Sequence, residues 1–144
     1  MPDQLPDAVP QPCIAALDDA NWRTAFADHL GLRLESTSAG EAVVSLELRP
    51  ELLGAQGSGH TGVLMTLLET AMTHAALSRL AYAREVVTVD IRVGFMRATQ
   101  GRLVATGQAV GGGKSVCFCE ARLLDETGEV RAQAMGTFRY GEAA

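Results

Sequence analysis

Between Val63 and Leu80 the chain carries one acidic residue, Glu69, among Leu, Met, Ala and Thr. Burying an unpaired carboxylate is costly, so a lone acid on such a segment is either paired or functional. A carboxylate partly withdrawn from water suits a general base or a nucleophile. Thr66, Thr70 and Thr73 stand within one helical turn of it, and Thr73 at i+4 shares its face. Such hydroxyls can orient the carboxylate or a water. The residues alone leave a second reading open, in which Glu69 faces solvent or a subunit interface beside these threonines.

The other candidate chemistry lies just upstream. Leu53 to Gly62 reads Leu-Gly-Ala-Gln-Gly-Ser-Gly-His-Thr-Gly, and glycines at 54, 57, 59 and 62 mark a loop that is permissive or closely approached. A helix N-terminus presents unsatisfied N–H groups and partial positive charge. With His60 as its cap, the amides of Thr61 and Gly62 can face a carbonyl oxygen that becomes an oxyanion. A plain turn explains the glycines as well. His60 and Glu69 are nine residues apart, roughly 13 Å along a helix. A general base works about 3 Å from its proton or one water away, so both groups of one chain cannot serve one carbonyl. A two-fold partner with an antiparallel central helix would set Glu69 of one chain opposite Thr61 of the other. The site, on this reading, needs a dimer.

Other reactive types carry less. His74 reads as a core or interface histidine, and His29 as a packing or helix-terminating one. Gly57-Ser58-Gly59 does not follow a strand in the pattern of a serine nucleophile elbow. Gly111-Gly112-Gly113-Lys114-Ser115 precedes a strand, not a helix, which argues against a nucleotide-phosphate loop. Lys114 with Arg97, Arg92 or Arg84 can meet the phosphates of a cofactor-like substrate, or be solvated turn charges. Cys13, Cys117 and Cys119 leave an odd cysteine, which argues against a disulfide scaffold and for a cytoplasmic location. Cys117 and Cys119 fall on one strand face as buried thiols, and no Cys/His cluster calls for a metal.

The elements that would position these groups follow from pattern. In 144 residues, 47% hydrophobic and 20% charged, one globular domain is expected. A net charge of -5 argues against a general nucleic-acid binder. No segment reaches the roughly 20 apolar residues of a membrane span, and the start lacks the features of a signal peptide. Residues 1–12 read as a flexible tail and 13–144 as the domain. Ile14, Leu17, Trp22, Phe26 and Leu30 suggest short helical pieces ending at Gly31. A strand region spans Leu32 to Leu48, with a turn at Ala39-Gly40. Val63 to Leu80 is the long helix, and Ala71, Ala75 and Ala76 allow it to lie close against a sheet. Four strands follow, Val86 to Phe95, Arg102 to Val110, Ser115 to Leu124 and Val130 to Tyr140. Their short turns at 99–101, 111–113 and 125–128 predict antiparallel hairpins. An α+β arrangement results, one curved antiparallel sheet around a long central helix, with a helical segment at the N-terminus.

Gly57-Ser58-Gly59-His60-Thr61-Gly62-Val63-Leu64, Leu67-Leu68-Glu69-Thr70-Ala71 and Thr88 to Arg97 together resemble a known family. Gly101, Gly113-Lys114-Ser115 and Ala134 to Phe138 continue in register. The chain resembles the hotdog-fold acyl-CoA thioesterases of the phenylacetate-degradation and 4-hydroxybenzoyl-CoA thioesterase type, over roughly Leu30 to Tyr140. The resemblance implies hydrolysis of an acyl-CoA to the free acid and CoA, with no cofactor beyond the CoA of the substrate. It implies Glu69 as the catalytic carboxylate, Thr73 as its support, the Thr61 amide as oxyanion donor and His60 as a residue steadying the loop or the carbonyl. Thr88 aligns near a hydroxyl residue that helps place water in relatives. The family's site lies between subunits, in a dimer at least and often a tetramer. Gly54 stands where the family carries Asn, with Gln56 nearby, and Thr61 stands where it carries Gly. Pocket depth should depend on how Leu53, Met65, Met72, Phe95 and the N-terminal segment pack across subunits. Gly54 and Thr61 also motivate a competing reading, a non-hydrolytic acyl-thioester binding protein of the same fold. A hydratase would want a His base near an Asp, and no such motif is present.

Overall fold

The computed structural model describes residues 23–143; Cys13, Ile14, Leu17, Trp22 and the 1–12 tail lie outside them. Helix α1, Ala25–Leu30, starts where the Thr24 hydroxyl accepts from the Ala27 amide at 3.0 Å. It stops at Gly31, whose φ of 83° is the left-handed conformation that ends helices. Arg49 fixes that end by donating to the Leu30 and His29 carbonyls at 2.8 and 2.6 Å. The strands β1, Arg33–Ser38, and β2, Glu41–Glu47, form the expected hairpin about Ala39-Gly40. A 3-10 turn at Pro50–Leu52 then leads into the glycine loop. Helix α2 runs Thr61–Arg79, and β3 (Arg84–Phe95), β4 (Arg102–Gly112), β5 (Val116–Leu124) and β6 (Val130–Ala143) complete the chain.

All six strands form one antiparallel sheet in the order β1-β2-β4-β5-β6-β3. The connections 111–113 and 125–128 are hairpins as expected. The 99–101 connection is not, because β3 pairs with β6 while β4 pairs with β2. The sheet curls so that every strand touches α2, and the 96–101 segment carries the chain from the β3 edge to β4 in the interior of the sheet, past β6 and β5. It is held on the way by Met96 and Arg97 amides on the Arg131 carbonyl and by Thr99, which is buried.

Strand periodicity supplies the inner face of the core: Leu103 and Ala105, then Cys117, Cys119, Ala121 and Leu123, then Ala132, Ala134 and Phe138. Against it lie Leu64, Leu67, Leu68, Ala71, Met72, Ala75 and Ala76 of α2, all buried. The helix comes so near β4 that a Cβ on Gly107 would stand 2.4 Å from the Ala71 carbonyl oxygen. At the far end Arg79 donates to the Gly113 carbonyl at 2.8 Å, and the Tyr140 hydroxyl donates to the Ala76 carbonyl at 2.7 Å. This is the hotdog architecture, and it fixes both ends of the helix that carries Glu69.

Candidate active site

Glu69 is half-buried on α2, facing β3. Its Oε2 accepts two hydrogen bonds, from Thr73 Oγ1 at 3.0 Å and from Thr88 Oγ1 at 2.9 Å. The first follows from i+4 spacing on the helix. The second requires tertiary structure. In β3 the half-buried residues are Arg84, Val86 and Thr88, then Ile91 and Val93, because a bulge between Thr88 and Asp90 shifts the parity. Thr88 thereby turns to the carboxylate and Ile91 to the same space. Oε1 is left without a protein partner among the described residues. Two donors on one oxygen fix the carboxylate plane and leave the other oxygen free to take a proton.

Beside the carboxylate is a cavity of about 650 Å³ between α1, α2 and β3. Glu69, Thr70, Thr73 and His74 give its polar wall, and Phe26, Met65, Leu77 and Ile91 much of its apolar one. His74 is buried, and its Nδ1 lies 2.9 Å from the Tyr82 hydroxyl. Burial lowers its pKa to about 4, so the ring is neutral near pH 7. The histidine is thus a satisfied core residue on one side, as its sequence context suggested, and a wall of the cavity on the other.

The glycine loop is built to present a helix N-terminus. Gly59 donates to the carbonyl and hydroxyl of Thr99, at 3.2 and 3.1 Å, and a Cβ there would come within 2.6 Å of that hydroxyl. The His60 amide donates to the Leu52 carbonyl at 2.9 Å, and Gly57 turns the loop at a φ of 82°. His60 is the N-cap, and its Nδ1 accepts the Gly62 N–H at 2.9 Å. The two amides expected to act together are therefore divided. The Gly62 N–H is engaged by the cap, and the Thr61 N–H has no partner among the described residues.

Other predicted residues scatter. Gly54 closes the loop, donating to the Ser58 carbonyl at 2.7 Å, and has ordinary room around it for a side chain. Gln56 is exposed on the same loop. Phe95, at the end of β3, is 43% exposed and outside the cavity wall. Arg97 pairs with Glu129 at 2.9 Å near that end of β3, while the Lys114 carbonyl accepts from Arg84 at the opposite end. Twelve strand residues separate the two cations, roughly 40 Å, so one chain cannot bring both to one phosphate. A second hydroxyl-bonded carboxylate, Glu35 on β1, accepts from Ser45 at 2.7 Å but also pairs with Arg102 at 3.5 Å, away from the cavity. Sequence reasoning missed Tyr82 and Ile91, whereas the α1 wall belongs to the N-terminal segment expected to shape the pocket. Tyr82 sits at a φ of 60° after Ala81 at 52°, a left-handed turn that no glycine announces.

The chain matches the model of the thioesterase superfamily over residues 56–132. It is 31% identical to 1,4-dihydroxy-2-naphthoyl-CoA hydrolase of Listeria monocytogenes serotype 1/2a (strain 10403S), over 68% of this chain and 80% of that one. Among solved structures it is similar to the conserved protein PA5202 of Pseudomonas aeruginosa, with a TM-score of 0.82 and 24% identity, covering 86% of this chain and 99% of that one. It is also similar to the E. coli PaaI protein from the phenylacetic acid degradation operon, with a TM-score of 0.80 and 23% identity, covering 91% of each.

Proposed function

Since the chain belongs to the thioesterase superfamily, we propose that it hydrolyses acyl-CoA thioesters to a free acid and CoA, with Glu69 as the reacting carboxylate. The observation that carries this reading is the pair of hydroxyls on Oε2, which leaves Oε1 open beside a largely apolar cavity. In the reaction, Oε1 takes a proton from a water whose oxygen adds to the thioester carbonyl. The developing oxyanion is met by the Thr61 N–H of the partner subunit. Collapse breaks the C–S bond, and the proton on Glu69 passes to the departing thiolate. Direct attack by Glu69 gives the alternative route, a mixed anhydride that water opens.

The partner is needed because Thr61 and Glu69 lie on one helix, eight residues apart. β3 is a sheet edge of twelve residues, with Val87 and Val89 more than half exposed. A long apolar edge is a template for pairing. Antiparallel pairing of two β3 edges about a two-fold axis runs the helices antiparallel as well. It also sets the partner's Arg97 near Arg84 and Lys114 of the first chain, which assembles a cationic site for the CoA phosphates. Beyond the dimer, Val110, Phe118 and Met135 are each about half exposed on the outer sheet face, a surface suited to pairing dimers into a tetramer.

A second reading, a non-hydrolytic acyl-CoA binding protein, is favoured by the capture of the Gly62 N–H by His60, which leaves one oxyanion donor where two would be stronger. Thiol release from a panel of acyl-CoAs, with wild type and Glu69→Gln side by side, separates the two. Turnover in wild type that the variant loses supports hydrolysis, whereas binding without thiol release selects the second reading. An unchanged kcat in Glu69→Gln would sink the role given to that residue.

A further inference from the structure

One wall of the cavity beside Glu69 is a helix too short to hold its own place. α1 contributes Thr24, Phe26 and Ala27 to that wall. It has six residues, and helices below about 12 residues are marginal in water without tertiary packing. Leu30 is its one buried residue, whereas Phe26 is 60% exposed. Packing therefore seats only the end of α1, and Arg49 supplies the rest of the hold. Its Nη1 donates to the Leu30 carbonyl at 2.8 Å and its Nη2 to the His29 carbonyl at 2.6 Å. The last carbonyls of a helix have no partner within it and carry partial negative charge. Two adjacent carbonyls take the two arms of a planar guanidinium, a geometry that an ammonium does not reproduce. The Gly31 N–H bonds back to the Ala27 and Asp28 carbonyls, so the arginine and the left-handed cap close the same turn.

Arg49 itself lies outside the cavity wall. We propose that it is a positioning residue for acyl-chain length: by latching α1 it sets the wall against which a long acyl chain packs. The proposal rests on Glu69 as the reacting carboxylate and on the cavity beside it as the place of the acyl group. An acetyl group ends one carbon beyond the reacting carbonyl and fills little of about 650 Å³. A longer chain runs on along Phe26, Leu77 and Ile91 and depends on where α1 stands. Arg49 also leads into the glycine loop, since it precedes the 3-10 turn whose Leu52 carbonyl accepts from the His60 amide at 2.9 Å. The two connections leave different marks on the kinetics. A disturbed loop lowers kcat at every acyl length, whereas a loosened wall raises KM for long chains alone.

The test compares octanoyl-CoA with acetyl-CoA as substrates of wild type, Arg49→Met, Arg49→Lys and Glu51→Gln. In parallel, the Kd of two non-hydrolysable thioethers, S-(2-oxononyl)-CoA and S-(2-oxopropyl)-CoA, is measured by calorimetry. Arg49→Met should raise the octanoyl-CoA KM and the Kd of the longer thioether by about tenfold, the worth of about two buried methylenes. Acetyl-CoA, the shorter thioether and kcat at both lengths should change little. Arg49→Lys, with one bond in place of two, should recover part of the loss. Glu51→Gln removes only an exposed ion pair at 3.3 Å and should behave as wild type. Thermal unfolding checks that the variants fold, and Arg49→Lys carries the comparison with a smaller shift where Arg49→Met is unstable. Equal changes at both lengths, no change at either, or a wild type that does not bind the longer thioether more tightly would overturn the proposal. Absence of all turnover would count against hydrolysis alone, because the thioether pair still decides the role of Arg49.

Discussion

Gly107→Ala tests how closely the Glu69-bearing helix is seated on the sheet. Gly107 lies within β4, and its φ is not in the left-handed region, so alanine introduces no backbone strain. The added Cβ would meet the Ala71 carbonyl oxygen at 2.4 Å, its carbon at 2.6 Å and the Met72 amide nitrogen at 3.0 Å. All three are helix backbone atoms, so no side chain can swing away and the helix itself must move. Overpacking of this kind costs about 1–3 kcal/mol, and rigid neighbours place it at the upper end. The reduced freedom of the unfolded chain returns less than about 1 kcal/mol. For a domain of this size, each kcal/mol moves the midpoint by about 2–4 °C, so a fall of about 4–12 °C is expected. Gly94→Ala is the control, since a Cβ there meets nothing within 4 Å. Thermal and urea unfolding of both variants give the answer. A Gly107→Ala midpoint equal to that of Gly94→Ala would refute the close seating.

Three further outcomes follow from the site. Thr88→Val removes a donor to Oε2 at nearly constant volume; a charge-assisted bond of about 1.5–3 kcal/mol implies a kcat loss of roughly tenfold or more, with KM little changed. Thr73→Val should act the same way, and the double variant should depart from additivity because both hydroxyls bond one oxygen; unaltered kcat in both single variants would remove the clamp from the mechanism. His74 has a folded pKa of about 4 against 6.5 when free, so its contribution to stability is complete above pH 6.5 and is lost as pH falls through 4. The loss approaches about 3 kcal/mol, and a urea series from pH 7.5 to 4 should show less acid sensitivity in His74→Phe than in wild type.

The hotdog layout was legible because its elements differ in pattern. The strands alternate, β5 most clearly through Cys117, Cys119, Ala121 and Leu123, and the long helix is apolar between a glycine loop and its end at Arg79. The pairing of strands across 96–101 was not legible, because a short turn-rich link looks the same whether it joins neighbours or crosses the sheet. Glu69 and Thr73 could be paired from spacing alone. Thr88 could not: its place at Glu69 depends on β3 being an edge strand beside α2 and on the bulge that sets its parity. The Tyr82–His74 contact was equally hidden, since Ala81-Tyr82 gives no turn signal. Whether the Gly62 N–H faces the loop or its own cap is a matter of one imidazole rotamer, which residue types do not specify.

The shared site is tested most directly by mixing two inactive subunits. Glu69→Gln removes the carboxylate, and Thr61→Pro removes the N–H that has no partner among the described residues while keeping the helix, because proline is well tolerated at the first helical position. His60, with φ -62° and ψ 135°, already has the extended conformation that a following proline requires. Each homodimer should be nearly inactive in thiol release. After unfolding and refolding together at equal concentration, half the dimers are mixed and each carries one intact site, so about a quarter of wild-type turnover should return. Activity no higher than the sum of the separate variants would contradict a site built from Glu69 of one subunit and Thr61 of the other.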